Sequence, residues 1–198
     1  MKYDNIKKRF DFLFSLLFLG LTIPVWVLAS LVIKISSPGP IFFAQKRVGI
    51  RGVSFCLYKF RTMHISSEYN QWSTTTTTRD PRVFPAGWIL RRLKIDELPQ
   101  LINILKGEMS IVGPRPTVMD DYLKMSSQQK TRNYVLPGLT GLAQINCKTF
   151  TKWPERIQYD LLYIRQKSLI LDLKIIINTA LLILTFRIFT ESSSVEEW

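Results

Sequence analysis

The chain has 198 residues, which is enough for one domain with its own core and too few for two large domains. With 27 Lys and Arg against 15 Asp and Glu, it carries a net charge of +12, which suits nucleic acids, anionic lipids or phosphorylated substrates. Two cysteines and one histidine argue against a disulfide framework, a histidine-based metal centre and a histidine-containing catalytic triad.

The first predicted element is a membrane helix. Residues 12–33 form an uncharged run of 22 residues, which exceeds the ~20 that cross a bilayer as a helix. Pro24 lies inside this run, where it removes a backbone donor, and lysines and arginines flank the run on both sides. We therefore predict a re-entrant helix-break-helix element over residues 1–35, with Pro24 at the bend and both ends on the cytoplasmic face. A kinked spanning helix is the alternative, because proline also occurs in spanning helices.

A turn at Ser37-Pro38-Gly39-Pro40 separates the membrane element from a second domain, which we expect over residues 36–190. Residues 41–47 and 54–60 are rich in β-forming side chains and are joined by Gly49-Ile50-Arg51-Gly52, which predicts a short hairpin. Threonines at 74–78 predict a loop, and residues 86–93 predict a short helix.

A carboxylate pair, Asp96 and Glu97, precedes an apolar run spaced like one face of a helix: Leu98, Leu101, Ile102 and Leu105. Asp96 is a natural N-cap and Gly107 a natural stop, so we predict a helix that begins at the acid pair. Its positive end would stabilise the Asp96 anion and attract phosphate. Three cations upstream add positive charge: Arg91, Arg92 and Lys94. Taken alone, such a pair is more often a helix cap than a nucleophile.

Two further segments follow the acid pair. Gly113-Pro114-Arg115-Pro116 predicts a stiff loop that presents Arg115 to an anion without a large ordering cost. Residues 169–186 predict an apolar helix whose uncharged part is too short to span a bilayer, so it lies either at the membrane interface or in the core. The acidic tail, residues 191–198, is expected to be solvated.

Separate segments over about residues 7–187 resemble the bacterial sugar transferase family, small monotopic phosphoglycosyl transferases that begin envelope glycan assembly. They occur in the family's order: Lys8-Arg9-Phe10-Asp11, Ser37-Pro38-Gly39-Pro40, Phe43-Ala44-Gln45-Lys46-Arg47-Val48-Gly49, Lys59-Phe60-Arg61-Thr62-Met63, Arg79-Asp80-Pro81-Arg82, Asp96-Glu97-Leu98-Pro99-Gln100, Gly113-Pro114-Arg115-Pro116 and Pro137-Gly138-Leu139-Thr140-Gly141. One departure is Ile23 before Pro24, where the family often has a small polar residue. The expected fold class is α+β: a small, mainly helical catalytic domain with a short β-hairpin, a re-entrant N-terminal membrane helix and interfacial amphipathic helices.

The resemblance implies transfer of a sugar-1-phosphate from a UDP-sugar to undecaprenyl phosphate, with release of UMP and a covalent phosphosugar-aspartate intermediate. This is the first membrane step in assembly of O-antigen, capsule, exopolysaccharide or glycoprotein glycans. The resemblance also implies a monotopic protein of the bacterial inner membrane, with its catalytic domain at the cytoplasmic face and in contact with membrane lipids. A homo-oligomer is possible, and the resemblance does not decide the oligomeric state.

Carried over residue by residue, the resemblance makes Asp96 the nucleophile and Glu97 its catalytic neighbour. It assigns three side chains to substrate phosphate: Arg91, Arg115 and Lys59. Mg²⁺ is expected at Asp96 and Glu97, because oxygen ligands dominate there. Supporting roles are expected for two more residues: Arg92 and Asp160.

Two other functions stay open at this stage. The charge of +12 also suits a membrane-tethered nucleic-acid-binding protein, although the cations flank an acid pair and form no stripe interleaved with aromatic residues. A non-catalytic membrane scaffold for glycan enzymes is the second. The sequence does not identify the sugar, because a few pocket contacts distinguish epimers.

Overall fold

The computed structural model describes residues 2–65, 80–147 and 151–185. The predicted threonine loop at 74–78 and the acidic tail at 191–198 lie outside these ranges. In chain order the elements are α1 (Lys2–Ser36), β1 (Phe42–Val48), β2 (Ser54–Phe60), α2 (Pro85–Arg92), α3 (Gln100–Leu105), β3 (Ser110–Val112), α4 (Met119–Lys124), α5 (Ser127–Lys130), β4 (Gly138–Thr140), α6 (Leu142–Asn146), α7 (Trp153–Gln166) and α8 (Leu169–Leu184). This mainly helical architecture with small sheets agrees with the predicted α+β class.

The N-terminal apolar run forms one continuous helix, α1, that passes through Pro24. The helix break predicted at Pro24 is therefore wrong. A proline ring crowds the carbonyl four residues earlier, which here belongs to Gly20, and the helix continues without a break. The nearby Thr22 hydroxyl donates to the carbonyl oxygens of Phe18 and Leu19 at 2.7 and 3.2 Å.

One face of α1 lies on the rest of the protein along its length. Buried or half-buried side chains recur on that face at helical spacing: Asp11, Ser15, Leu19, Thr22, Trp26, Ala29 and Ile33. The other faces expose large apolar side chains, among them Leu17, Leu21 and Leu28, each more than 60% exposed. By length and composition, α1 is the one helix among the described residues that could cross a membrane.

Both ends of α1 are fixed to the same domain. Near its start, Lys7 forms an ion pair of 2.8 Å with Asp172 of α8, and Asp11 accepts a hydrogen bond of 2.7 Å from Ser110 of β3. Near its end, Ile33 packs in a cluster with residues of β2 and α2. The helix therefore runs along the domain and does not project from it.

The predicted hairpin is confirmed. Strands β1 and β2 pair antiparallel, from Phe42 opposite Phe60 to Val48 opposite Ser54. The predicted helix at 86–93 is confirmed as α2. The helix predicted over 169–186 is confirmed as α8, which buries Asp172 while much of its apolar surface is exposed.

The turn after α1 is held by the buried guanidinium of Arg61. Arg61 donates to the carbonyl oxygens of Pro38 and Ser37 at 2.6 and 2.7 Å. Gly39 has a φ of +123°, and a Cβ on it would lie 2.7 Å from an Arg61 nitrogen. The turn motif and the end of β2 are thus locked together, which sets where α1 meets the hairpin.

A short parallel pair, β3 and β4, was not predicted. Ser110 lies opposite Gly138, and Val112 opposite Thr140. The backbones approach so closely that a Cβ on Gly138 would lie 2.1 Å from the Gly113 nitrogen. Beneath this pair, the main core joins side chains of β2, α3, α7 and α8: Leu57, Leu101, Ile104, Tyr163 and Ile175.

The helix predicted to begin at Asp96 begins later. Asp96 and Glu97 lie in a 3-10 turn, and α3 starts only after Pro99. Lys94, with a φ of 57°, reverses the chain just before the pair. Asp96 is therefore not an N-cap, and the positive end of a six-residue helix does not act on it as predicted. Gly107, with a φ of +75°, does follow the end of α3.

Because both ends of α1 lie on the domain, we expect both on the same membrane face as the hairpin. Single cysteines at Asn5, Pro40 and Ser54 test this in a chain whose native cysteines are replaced by alanine. A membrane-impermeant maleimide should label all three from the same side of sealed vesicles. Labelling of Asn5 from the side opposite to Ser54 would show a spanning helix.

Candidate active site

The centre of the site is the buried acid pair. Asp96 and Glu97 are each 7% exposed. One oxygen of Glu97, Oε1, lies 3.2 Å from Lys59 Nζ, 3.3 Å from an Arg115 nitrogen and 3.9 Å from Lys94 Nζ. Burying a carboxylate is costly unless cations and hydrogen bonds compensate it. Three cations from three segments of the chain meet that requirement at Glu97.

Each predicted phosphate-binding residue comes from a different element. Lys59 lies near the end of β2, Arg91 near the end of α2, and Arg115 in the Gly-Pro-Arg-Pro loop. Arg91 is oriented by Thr62, whose hydroxyl accepts a hydrogen bond of 2.8 Å from its Nε. A Cβ on Gly87 would lie 2.3 Å from the Thr62 carbonyl oxygen, so glycine allows α2 to pack against the end of β2. Lys59 and Arg115 contact Glu97, and the charge of Arg91 acts on Asp96.

The two carboxylates have different electrostatic environments. Burial raises the pKa of Asp96, and the charge of Glu97 raises it further, against opposing effects of Lys59, Lys94 and Arg91. Burial would also raise the pKa of Glu97, but Lys94, Lys59 and Arg115 lower it well below its ordinary value. Glu97 is thus the stabilised anion, and Asp96 is the more basic of the two carboxylates.

The donor set at the pair fits a hard divalent cation. Asp96 Oδ1 is buried and has no hydrogen-bond partner among the described residues. A buried acceptor without a partner indicates a binding site for a ligand. Mg²⁺ is commonly coordinated by one or two carboxylates together with water and substrate phosphate. The described residues contain no group of three or more His, Cys, Asp or Glu that could enclose a metal. Asp96 and Glu97 would therefore hold the ion in an open site.

Asp160 does not contact the acid pair, but it supports the loop that carries Arg115. Its side chain and that of Arg132 are almost fully buried, and Arg132 donates to Asp160 Oδ2 from two nitrogens at 2.8 and 2.7 Å. Arg132 also donates to the carbonyl oxygen of Arg115 at 2.7 Å. Through Arg132, Asp160 therefore holds the loop that carries Arg115, which gives its predicted supporting role a structural form. Arg92 is exposed on α2.

Sequence reasoning missed Arg132 and undervalued Lys94. Arg132 stands 28 positions from its partner Asp160, and no local pattern links the two. Lys94 was expected to be only background charge, yet it lies beside Glu97 because of its left-handed backbone. An unusual backbone conformation at a lysine has no sequence signal.

A cavity of about 470 Å³ adjoins the acid pair. Its polar end carries charged side chains: Lys94, Glu97, Arg115, Arg132, Arg156 and Asp160. The guanidinium carbons of Arg132 and Arg156 lie 5.7 and 5.8 Å from the centre of the Trp153 ring. The rest of the wall is mainly apolar and comes from α1, α6 and α8. A cavity of this size can hold a small-molecule substrate.

The chain is similar to one family model and to several known proteins. The family model described as bacterial sugar transferase matches residues 2–186. The chain is 42% identical over 169 residues to the UDP-glucose:undecaprenyl-phosphate glucose-1-phosphate transferase of Xanthomonas campestris pv. campestris, covering 81% of this chain and 35% of that protein. It is 41% identical over 182 residues to the protein of the same name from Escherichia coli (strain K12), covering 88% and 39%.

A shorter relative matches over most of both chains. The chain is 38% identical over 187 residues to the exopolysaccharide production protein ExoY of Sinorhizobium fredii, covering 87% of this chain and 83% of that protein. The chain thus spans well under half the length of the two glucose-1-phosphate transferases and most of the length of ExoY.

The Asp160 and Arg132 pair generates a stability prediction. Asp160→Asn preserves shape but leaves the buried Arg132 charge uncompensated, so the free energy of unfolding should fall by about 3–5 kcal/mol. The matched control is Asp4→Asn, which breaks the more exposed Asp4–Lys167 pair and should cost less than about 1 kcal/mol. Thermal unfolding in detergent measures both; equal losses would contradict the supporting role.

Proposed function

The chain belongs to the bacterial sugar transferase family, and we propose that it transfers a sugar-1-phosphate from a UDP-sugar to undecaprenyl phosphate with release of UMP. The names of the two glucose-1-phosphate transferases support these substrates and favour UDP-glucose as the donor. The observation that carries the proposal is the buried acid pair, in which Glu97 is neutralised by three cations while one Asp96 oxygen has no partner.

In the first proposed step, a carboxylate oxygen of Asp96 attacks the β-phosphorus of the UDP-sugar. A phosphorus–oxygen bond forms to Asp96 as the bond to the bridging oxygen breaks, and UMP leaves with that electron pair. The product is a phosphosugar joined to Asp96 as an acyl phosphate. The raised pKa of Asp96 supports this assignment, because it marks the more basic of the two carboxylates.

The cations around the pair offset the charge of the incoming diphosphate. Lys59 and Arg115 are about one-fifth exposed, so both can reach a phosphate from their positions at Glu97. Arg91 adds positive potential at Asp96. Phosphoryl transfer depends mainly on positioning and on electrostatic stabilisation of the phosphoryl oxygens, which forked guanidinium donors provide well. Mg²⁺ at Asp96 and Glu97 would screen the repulsion between the carboxylates and the diphosphate.

In the second step, an oxygen of the lipid phosphate attacks the phosphorus of the aspartyl phosphosugar. The bond from phosphorus to Asp96 breaks, the carboxylate is regenerated, and the sugar is left on a polyprenyl diphosphate. Using Asp96 twice allows a nucleotide and a lipid to react in turn at the same small site.

The membrane supplies the second substrate. The exposed apolar surfaces of α1 and α8 suit contact with lipid acyl chains, and the exposed Lys34 lies near one end of α1, where lipid phosphates are accessible. We place the protein at the cytoplasmic face of the bacterial inner membrane as a monotopic protein. The name of ExoY favours exopolysaccharide among the glycan pathways.

The acid pair gives the first test of this function. Asp96→Asn keeps the shape of the side chain and removes the nucleophile, so UMP release from UDP-glucose in membranes with undecaprenyl phosphate should fall about a thousandfold or more. The control is Asp120→Asn on the exposed surface of α4, which should be fully active. Wild-type protein incubated with UDP-glucose alone should gain a phosphohexose mass on the peptide that contains Asp96. An active Asp96→Asn protein would refute the assignment.

The metal site gives a second test. Removal of divalent cations with EDTA should abolish UMP release, and Mg²⁺ should restore it. Mg²⁺ should also raise the unfolding midpoint of the wild-type protein, because a ligand that binds only the folded state stabilises it. This shift should be absent in Asp96→Asn. Full activity in EDTA, or an equal shift in both proteins, would exclude a metal at the pair.

A further inference from the structure

We propose that the apolar part of the 470 Å³ cavity binds the isoprenoid chain of the phosphorylated lipid acceptor, with the phosphate at the cationic end beside Arg115. This inference rests on the proposed function and assigns a position to its second substrate. It also assigns α8 a binding role in addition to its packing role.

The walls of the cavity come from the helices that expose apolar surface. Helix α1 contributes Phe14 and Phe18, and α8 contributes Ile176, Ala180 and Ile183. Phe14 and Phe18 stack on each other with ring centroids 5.7 Å apart. Phe18 and Ala180 are also exposed, so they line the cavity where it opens between α1 and α8. A chain leaving the cavity there would pass directly onto the apolar outer surfaces of these two helices.

The hydrogen-bonding groups of this wall are largely satisfied within the protein. The Thr140 and Thr179 hydroxyls bond to each other at 2.7 Å, and the Gln144 side-chain nitrogen donates to the carbonyl oxygen of Leu139 at 3.0 Å. Among the described lining residues of this part, one buried side-chain atom lacks a partner, the Gln144 Oε1 oxygen. A nucleoside would leave most of its polar groups unpaired there, which is costly, whereas a hydrocarbon chain needs no partners.

The opposite end of the cavity suits the phosphate of the same molecule. It carries four cations against two carboxylates: Lys94, Arg115, Arg132 and Arg156 against Glu97 and Asp160. The net positive charge favours a phosphate monoester over a neutral lipid head group. An anionic head beside the acid pair and a tail between α1 and α8 is the orientation in which a lipid phosphate could attack a phosphosugar on Asp96.

Photoaffinity labelling tests the position without turnover. Wild-type protein in nanodiscs is irradiated with geranyl phosphate that carries a diazirine on its tail. Labels should map to the α1 and α8 residues that line the cavity, and undecaprenyl phosphate should displace them while uridine, a nucleoside without phosphate, should not. Displacement by uridine, or labels confined to exposed residues such as Leu21 and Leu181 and insensitive to competition, would overturn the inference.

A pair of adjacent substitutions tests the consequence for catalysis. Ala180→Trp places a large side chain at the mouth of the cavity, where its exposure should allow folding. Leu181→Trp is the control, because Leu181 is 53% exposed and does not line the cavity. Ala180→Trp should raise the KM for undecaprenyl phosphate about tenfold. The KM for UDP-glucose and the burst of UMP without acceptor should be unchanged, and Leu181→Trp should behave as wild type.

The outcomes separate the two proposals. If the wild-type protein releases no UMP from any UDP-sugar, the proposed function fails, while the labelling result still decides whether the cavity binds a lipid phosphate. If the wild type is active and Ala180→Trp has an unchanged KM for the lipid, the cavity does not hold the isoprenoid chain. A loss of the acceptor-free UMP burst in Ala180→Trp would also overturn the inference, because the substitution would then act on the nucleotide step.

Discussion

Two adjacent buried carboxylates impose a constraint that organises the rest of this molecule. An uncompensated buried charge costs several kcal/mol, so Asp96 and Glu97 can share one site only if cations are held close to them. Lys59, Lys94 and Arg115 meet this condition at a single oxygen of Glu97. The consequence is an asymmetric pair, with one stabilised anion and one basic carboxylate. That asymmetry suits the proposed double displacement at phosphorus, in which the attacking group must be reactive and must also leave again.

Loop conformations and hydrogen bonds, more than helices or strands, hold Lys94 and Arg115 in position. Lys94 takes a left-handed conformation, and Arg115 lies between two prolines on a loop whose carbonyl is bonded by Arg132. Arg132 is in turn oriented by Asp160 of α7, so a helix remote from the acid pair helps to determine the position of the Arg115 loop. The positions of the reactive groups thus depend on an almost fully buried polar network, which tolerates little rearrangement.

The membrane helix is part of this scaffold. Helix α1 packs against α2 and α3, the two helices that flank the acid pair, and its first half also lies on β3 and α8. The proposed reaction joins a soluble nucleotide-sugar to a lipid, so it requires one reactive centre that is accessible from both phases. Here the same helix that offers apolar surface to lipid also supports the turn that contains Asp96. The cavity between α1 and α8 continues this arrangement inward, from an apolar opening to a cationic end.

The sequence by itself determined the elements that depend on neighbouring residues. Alternating β-formers around Gly49 and Gly52 specified the hairpin, and the Asp96-Glu97 pair with its nearby cations predicted a charged cluster that the structure brings together. Only the tertiary structure decided features that depend on distant partners: the continuity of α1 through Pro24, the pairing of β3 with β4, and the buried bond between Arg132 and Asp160. The prediction of an N-cap at Asp96 failed for the same reason. Local propensity favoured a helix start there, but the 3-10 turn is stabilised by contacts of Glu97 with residues 38 positions upstream and 18 downstream, which no local pattern encodes.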